Sequence, residues 1–193
     1  MPDTDGVAIL DRARSGDGRA FEDLARAVEA ALYRHVLRIV GTTAEAEDVV
    51  QDALVSAWRS IGSLQGGSFR AWVFRIATNR AIDSVRARRR RGELPLEPAE
   101  DEEAGWAEPV APGPDHAELA SRSEALALVE EALKTVPAEQ RAALLLRDVE
   151  GFDYAEIARI TAVEVGTVKS RIHRARLAVR NELVLKGWRS SAG

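Results

Sequence analysis

Residues 153–176 read DYAEIARITAVEVGTVKSRIHRAR, two short amphipathic periods separated by a few residues, and they decide the fold of this end of the chain. Asp153 and Glu156 have capping-box spacing, in which side chains satisfy backbone N–H groups that the first helical turn leaves free, so a helix is expected at Tyr154. The turn TAVE (161–164) follows, with small Ala158 placed where two helices must approach closely. A second helix starts near Val165. Val165, Val168, Ile172, Ala175 and Val179 share one side of its wheel, with Gly166, Ser170, His173 and Arg174 opposite and Thr167, Lys169 and Arg171 on the flanks. Two helices joined by a tight turn, the second of them basic, make a helix-turn-helix plan.

The first turns of such a helix fit the major groove, where Arg and Lys pair with guanine edges or phosphates and Ser or Thr with either. Thr167, Lys169, Ser170, Arg171, His173 and Arg174 are therefore candidate DNA contacts. A basic helix is by itself often only a solvated face. The capped helix before it, Ala158 and the short turn favour DNA.

Composition supports helix throughout. Of 193 residues, 46% are apolar and only 5% aromatic. Alanine, leucine, arginine and glutamate lose little rotamer freedom in a helix. The chain has no cysteine, which excludes disulfides and zinc-thiolate sites, and its histidines at 35, 116 and 173 show no metal-ligand spacing. Neither a nucleophile-base pair nor a phosphate loop is visible, so no enzyme, metal or cofactor is expected. No apolar run approaches the roughly 20 residues needed to cross a bilayer, and the first residues lack a signal-peptide pattern. A cytoplasmic location without membrane insertion is expected.

The net charge of −4 hides a partition. Arg70 to Arg91 holds eight arginines against Asp83 alone, and Lys169 to Arg189 seven Lys or Arg against Glu182. Between them, residues 93–118 hold nine Asp or Glu and no Lys or Arg, and residues 92–120 carry five of the seven prolines. Proline and repelling carboxylates oppose a packed structure. The chain thus reads as a helical domain over 1–91, an extended acidic linker over 92–120, and a helix-turn-helix domain over 121–193.

In the first domain Phe21, Leu24, Val28, Leu32, Val36 and Ile39 follow helical spacing until Gly41. Thr42 with Glu45 resembles a capping box for a helix to about Ser60, with Val50, Ala53, Leu54, Ala57 and Trp58 inward and Glu47, Asp48, Gln51 and Asp52 on other faces. That acidic face is a solvated surface or a docking ridge for a basic helix. A third helix from Ser68 has Phe69, Trp72, Val73 and Ile76 as its stripe, which then turns polar at Asn79, Arg80 and Asp83. The core is expected to stop near Ile76, the later turns facing a ligand; a plain surface pair of Arg80 with Asp83 is the alternative. After the linker, Ser121 and Glu124 have cap spacing, with Leu126, Val129, Leu133 and Val136 as apolar face, Pro137 as breaker, and a leucine-rich helix over 138–149 closed by Gly151.

AEDVVQDALVSAWR and FRAWVFRIATNRAIDSVRARRR, followed after the linker by LLLRDVEGFDYAEIARITAVEVGTVKSRIHRARLAVR, together resemble the extracytoplasmic-function (group IV) sigma factors of bacterial RNA polymerase. The resemblance spans about Phe21 to Leu183 and implies an all-α protein of two small domains, a sigma region 2-like bundle and a region 4-like helix-turn-helix. It implies an initiation factor that binds core polymerase and promoter DNA, docking through Asp48, Gln51 and Asp52 on the β′ clamp helices and through its second domain on the β flap. Trp72, Asn79, Arg80, Asp83, Arg86, Arg88 and Arg89 fall in the segment that captures the −10 element. Residues 165–176 would then read the −35 element, and an anti-sigma protein is an implied partner. A helix-turn-helix regulator that binds duplex DNA without polymerase is the rival reading. Two positions depart from the family pattern: Ala162 where the turn often has glycine, and Glu164 where a proline often precedes the recognition helix.

Overall fold

A computed structural model describes residues 4–64, 67–94 and 119–186, and the regular elements among them are helical. Helices α1 (Thr4–Arg14), α2 (Gly18–Val40), α3 (Thr43–Ser60) and α4 (Phe69–Arg90) form a first lobe. Helices α5 (Leu119–Thr135), α6 (Ala138–Asp148), α7 (Tyr154–Thr161) and α8 (Val165–Leu185) form a second. Most of the expected linker, residues 95–118, lies outside the described residues, as do the side chains of Ser121 and Glu124. Because α5 already begins at Leu119, Ser121 sits inside the helix. A Ser-x-x-Glu spacing marks a helix start only where the serine has extended backbone.

Local chemistry sets most boundaries. Asp17 caps α2 by accepting from the N–H groups of Arg19 and Ala20, and Ala20 first, then Arg12, hold its carboxyl below the usual range. Gly41 ends α2 at φ 87, its N–H donating to Leu37. Ser68 opens α4 by accepting from the Ala71 N–H. The box expected at Thr42 does not form: Thr42 makes no side-chain cap, and Glu45 accepts from Ser84 and, at 2.5 Å, from Arg88. A charge-assisted bond to a guanidinium outcompetes a neutral backbone cap.

The first-lobe core joins Leu32, Val36 and Ile39 of α2 with Val50, Ala53 and Ala57 of α3 and a long stripe on α4. That stripe corrects the sequence expectation. It does not stop near Ile76 but runs through Val73, Phe74, Ala77, Thr78, Ala81, Ile82 and Val85, with Trp72 and Ile76 at its margin. The reason is burial from two sides, since α4 packs on α2 and α3 and also on α6 and α7 of the second lobe. In the second lobe, Ala142 to Leu146 pack with Ile157, Ile160, Val168, Ile172 and Ala175. Leu126 and Val165, expected inside, are exposed. The two lobes share one continuous apolar cluster.

Candidate functional site

The helix-turn-helix forms as its caps require. The Glu156 N–H donates to Asp153 at 2.7 Å, and the Asp153 N–H donates to Glu156 at 2.9 Å. At the turn Ala162 adopts φ 54, ψ 42, and both its N–H and that of Val163 donate to the Ala158 carbonyl. It is the one non-glycine residue with positive φ among those described. Glu164 takes the cap position of α8 without a side-chain capping bond.

On α8, Val168, Ile172 and Ala175 are buried, Thr167 is exposed, and Lys169, Ser170, Arg171, His173 and Arg174 are half-buried. The Lys169 ammonium lies 5.7 Å from the Tyr154 ring centre. Arg176 instead forks onto Asp148 at 2.7 and 3.1 Å, fastening α8 to the end of α6. Within the basic cluster Arg176 thus ties α8 to α6.

Glu47, Asp48, Gln51 and Asp52 are all exposed on α3. Glu47 and Gln51 line a groove of about 630 Å³ between α2 and α3, with Arg26 and Glu29 on its opposite side and Tyr33, Leu54 and Val55 supplying apolar surface. Asp52 instead meets Arg80 at 3.2 Å, and Arg80 also donates to Ser56 at 2.7 Å. Two residues expected at different sites are thus neighbours. Asp83 pairs with Arg86 at 3.7 Å, so the alternative Arg80–Asp83 pair is not the one formed.

The remaining α4 candidates are dispersed. Trp72 is half-buried and lines a cavity of about 350 Å³ with Ser63, Leu64, Arg75, Glu156 and Arg159. Arg88 turns inward to the Val40 carbonyl and Glu45, its side chain 19% exposed. Arg89 is half-buried. The Asn79 amide donates to the Ile160 carbonyl at 3.2 Å, and Arg86 donates to Glu139 at 2.7 Å. Both partners belong to the second lobe.

That seam is what sequence reasoning missed. Phe152 lies 5.3 Å from Phe74, and the Arg70 guanidinium stacks over both rings, at 4.3 and 4.9 Å. Arg70 also donates to the side chain and carbonyl of Glu150. Arg141, 7% exposed, donates to the Ile39 carbonyl across the seam. The visible clue was Glu-Gln-Arg at 139–141, an unusually polar start for a leucine-rich helix. Beneath the seam His35 bonds Thr78 at 2.9 Å; burial above all, then Arg38 and Arg70, pushes its pKa down to about 3.

A capped helix-turn-helix with a basic second helix, carried beside a second helical lobe, is the architecture of a two-lobed DNA-binding transcription factor. Residues 24–91 match the family model for sigma-70 region 2, and residues 126–179 match that for sigma-70 region 4. RNA polymerase sigma-H factor of Pseudomonas aeruginosa is 37% identical over 179 residues, covering 91% of this chain and 92% of that protein. The ECF RNA polymerase sigma-E factor of Escherichia coli K12 is 35% identical, covering 93% and 94%. The chain belongs to the extracytoplasmic-function branch of the sigma-70 family and is an alternative sigma factor of transcription initiation. Among solved structures it is similar to CnrH in complex with the cytosolic domain of CnrY, at TM-score 0.67 and 27% identity over 95% of this chain and 99% of that one. It is also similar to RpoE bound to the anti-sigma factor NepR from Bartonella quintana, at TM-score 0.63 and 31% identity over 85% and 96%.

Proposed function

We propose that the chain binds core RNA polymerase in the cytoplasm and directs it to promoters, catalysing no reaction itself and needing no cofactor. The first domain, 1–91, docks on the β′ clamp helices and captures the −10 element. The second, 121–193, meets the β flap and reads the −35 element, and 92–120 links them. The observation that carries this reading is the union in one chain of a capped helix-turn-helix with a basic second helix and a helical lobe whose α3 exposes Glu47, Asp48, Gln51 and Asp52. Asp48, Gln51 and Asp52 form the docking ridge beside the groove between α2 and α3. Trp72, Asn79, Arg80, Asp83, Arg86, Arg88 and Arg89 form the −10 set, in which Arg88 acts chiefly by fixing the helix through Glu45. Thr167, Lys169, Ser170, Arg171, His173 and Arg174 form the −35 set. RpoE, which it resembles, is solved in complex with the anti-sigma factor NepR, which supports such a partner here.

The direct test is transcription in vitro with bacterial core enzyme over a genomic promoter library. Transcripts that appear only when this protein is added support the reading, and their absence at every promoter would sink it. Gln51→Ala with Asp52→Ala should weaken core binding while leaving far-UV circular dichroism unchanged; undiminished affinity would remove the docking ridge. Duplex DNA binding as a dimer, with no dependence on polymerase, is the result expected of the rival regulator.

A further inference from the structure

Two cations share one aromatic ring at the start of the helix-turn-helix. The Arg147 guanidinium, from the last turn of α6, lies over the Tyr154 ring at 4.7 Å from its centre, and the Lys169 ammonium of α8 lies over the same ring at 5.7 Å. Both fall within the roughly 6 Å over which a ring face attracts a cation. The ring is itself held. Tyr154 is the first residue of α7, so the Asp153–Glu156 capping box fixes its backbone. Arg147 also donates to the Phe152 carbonyl at 3.2 Å, and Phe152 is only 3% exposed. Arg147 is thus tied at both the ring and the chain that leads into it, and Lys169 is the long, rotatable partner that the ring steadies.

A lysine gains more from such a hold than an arginine does. Its ammonium is a point charge on a flexible four-carbon stem, and the rotamer freedom it loses on meeting a fixed acceptor counts against binding, whereas a guanidinium fork is organised beforehand. An ammonium already confined has less to lose. The contact also differs in kind from the fork of Arg176 onto Asp148, which fastens α8 as a whole rather than one of its reading side chains. We infer that Tyr154 is a positioning residue for −35 recognition, its ring, set by Arg147 and the α7 cap, holding the Lys169 ammonium in place for the DNA. This rests on the reading of α8 as the −35 helix.

The test uses the full-length chain assembled with core polymerase, and a fluorescein-labelled duplex carrying the −35 element of a promoter selected from the genomic library, with affinity read by anisotropy. Y154F keeps the ring and should bind as wild type does. Y154L keeps apolar bulk without a π face and should lose about two- to fivefold. In a K169A background the same Y154L change should cost almost nothing, a non-additivity that general damage to the helix-turn-helix does not produce. If Y154L folds poorly, phenylalanine analogues with one, two and three ring fluorines at this position preserve the shape while weakening the ring face. Affinity should then fall stepwise with fluorine count when Lys169 is present and stay level in K169A. Equal losses with and without Lys169, a loss in Y154F as large as in Y154L, or tighter binding by Y154L each overturns the inference while leaving the −35 reading in place. If K169A alone binds the duplex as wild type does, Lys169 leaves the −35 set and the positioning role falls with it.

Discussion

Replacing Ala162 by glycine should make the protein more stable, and the size of the gain follows from the backbone. At φ 54, ψ 42 the residue is left-handed, where an L side chain crowds the following carbonyl at a cost of about 1–2 kcal/mol. Glycine removes that cost but loses more freedom on folding, which returns roughly 0.5–1 kcal/mol. The Ala162 methyl is exposed, so no packing is sacrificed. The net is a stabilisation of about 0.5–1 kcal/mol, or roughly 1–4 °C in Tm for a chain of this length. Urea and thermal unfolding followed by far-UV circular dichroism, at one protein concentration, resolve such a difference. Ala162→Val is the opposite control, since a branched side chain fits the left-handed region worse and should destabilise. If A162G unfolds at or below the wild-type midpoint with an unchanged urea dependence, the turn is not held in the left-handed conformation and the reasoning fails.

Other consequences concern protonation and base reading. His35 has a folded pKa of about 3 against an ordinary value of 6.5, so it stays neutral in the folded protein while the unfolded chain takes up a proton. Stability from this group is complete above pH 6.5 and declines by about 1.4 kcal/mol per pH unit toward pH 3. His35→Leu should flatten that part of the profile between pH 7.5 and 5.5, and an identical slope in the variant would remove His35 as its cause. Arg171→Ala and Arg174→Ala should each cost about 1–3 kcal/mol of discrimination at one −35 position if the side chain reads a base edge. Competition binding with single-base variants distinguishes this from a uniform loss, which would assign the residue to phosphate.

Features written locally were legible in the sequence. Asp153 with Glu156, Gly41, Ser68 and Pro137 each act within a few residues of their own position, and each marks a boundary that the structure keeps. The apolar rhythm of α2 likewise depends on one helix alone. Helix α4 was misread because periodicity assumes one buried face, whereas Phe74 is buried by its own lobe and by Phe152 of the other. Glu139 and Glu150 look like ordinary surface acids, since their arginines lie 53 and 80 positions away. No local pattern announces such a partner. Thr42 and Glu45 failed for the same reason, a cap being outbid by distant Arg88.

A net charge of −4 would argue against nucleic acid if it were evenly spread, yet its distribution gives the opposite result. Sequence-independent DNA binding grows with every exposed guanidinium that can displace a counterion, and it competes with promoter recognition at every other site in a genome. Arg38, Arg70 and Arg86 are each partly neutralised by a glutamate of the same chain, which lowers what they add to that background. The basic side chains of α8, where direct base readout is proposed, stand apart from those pairs.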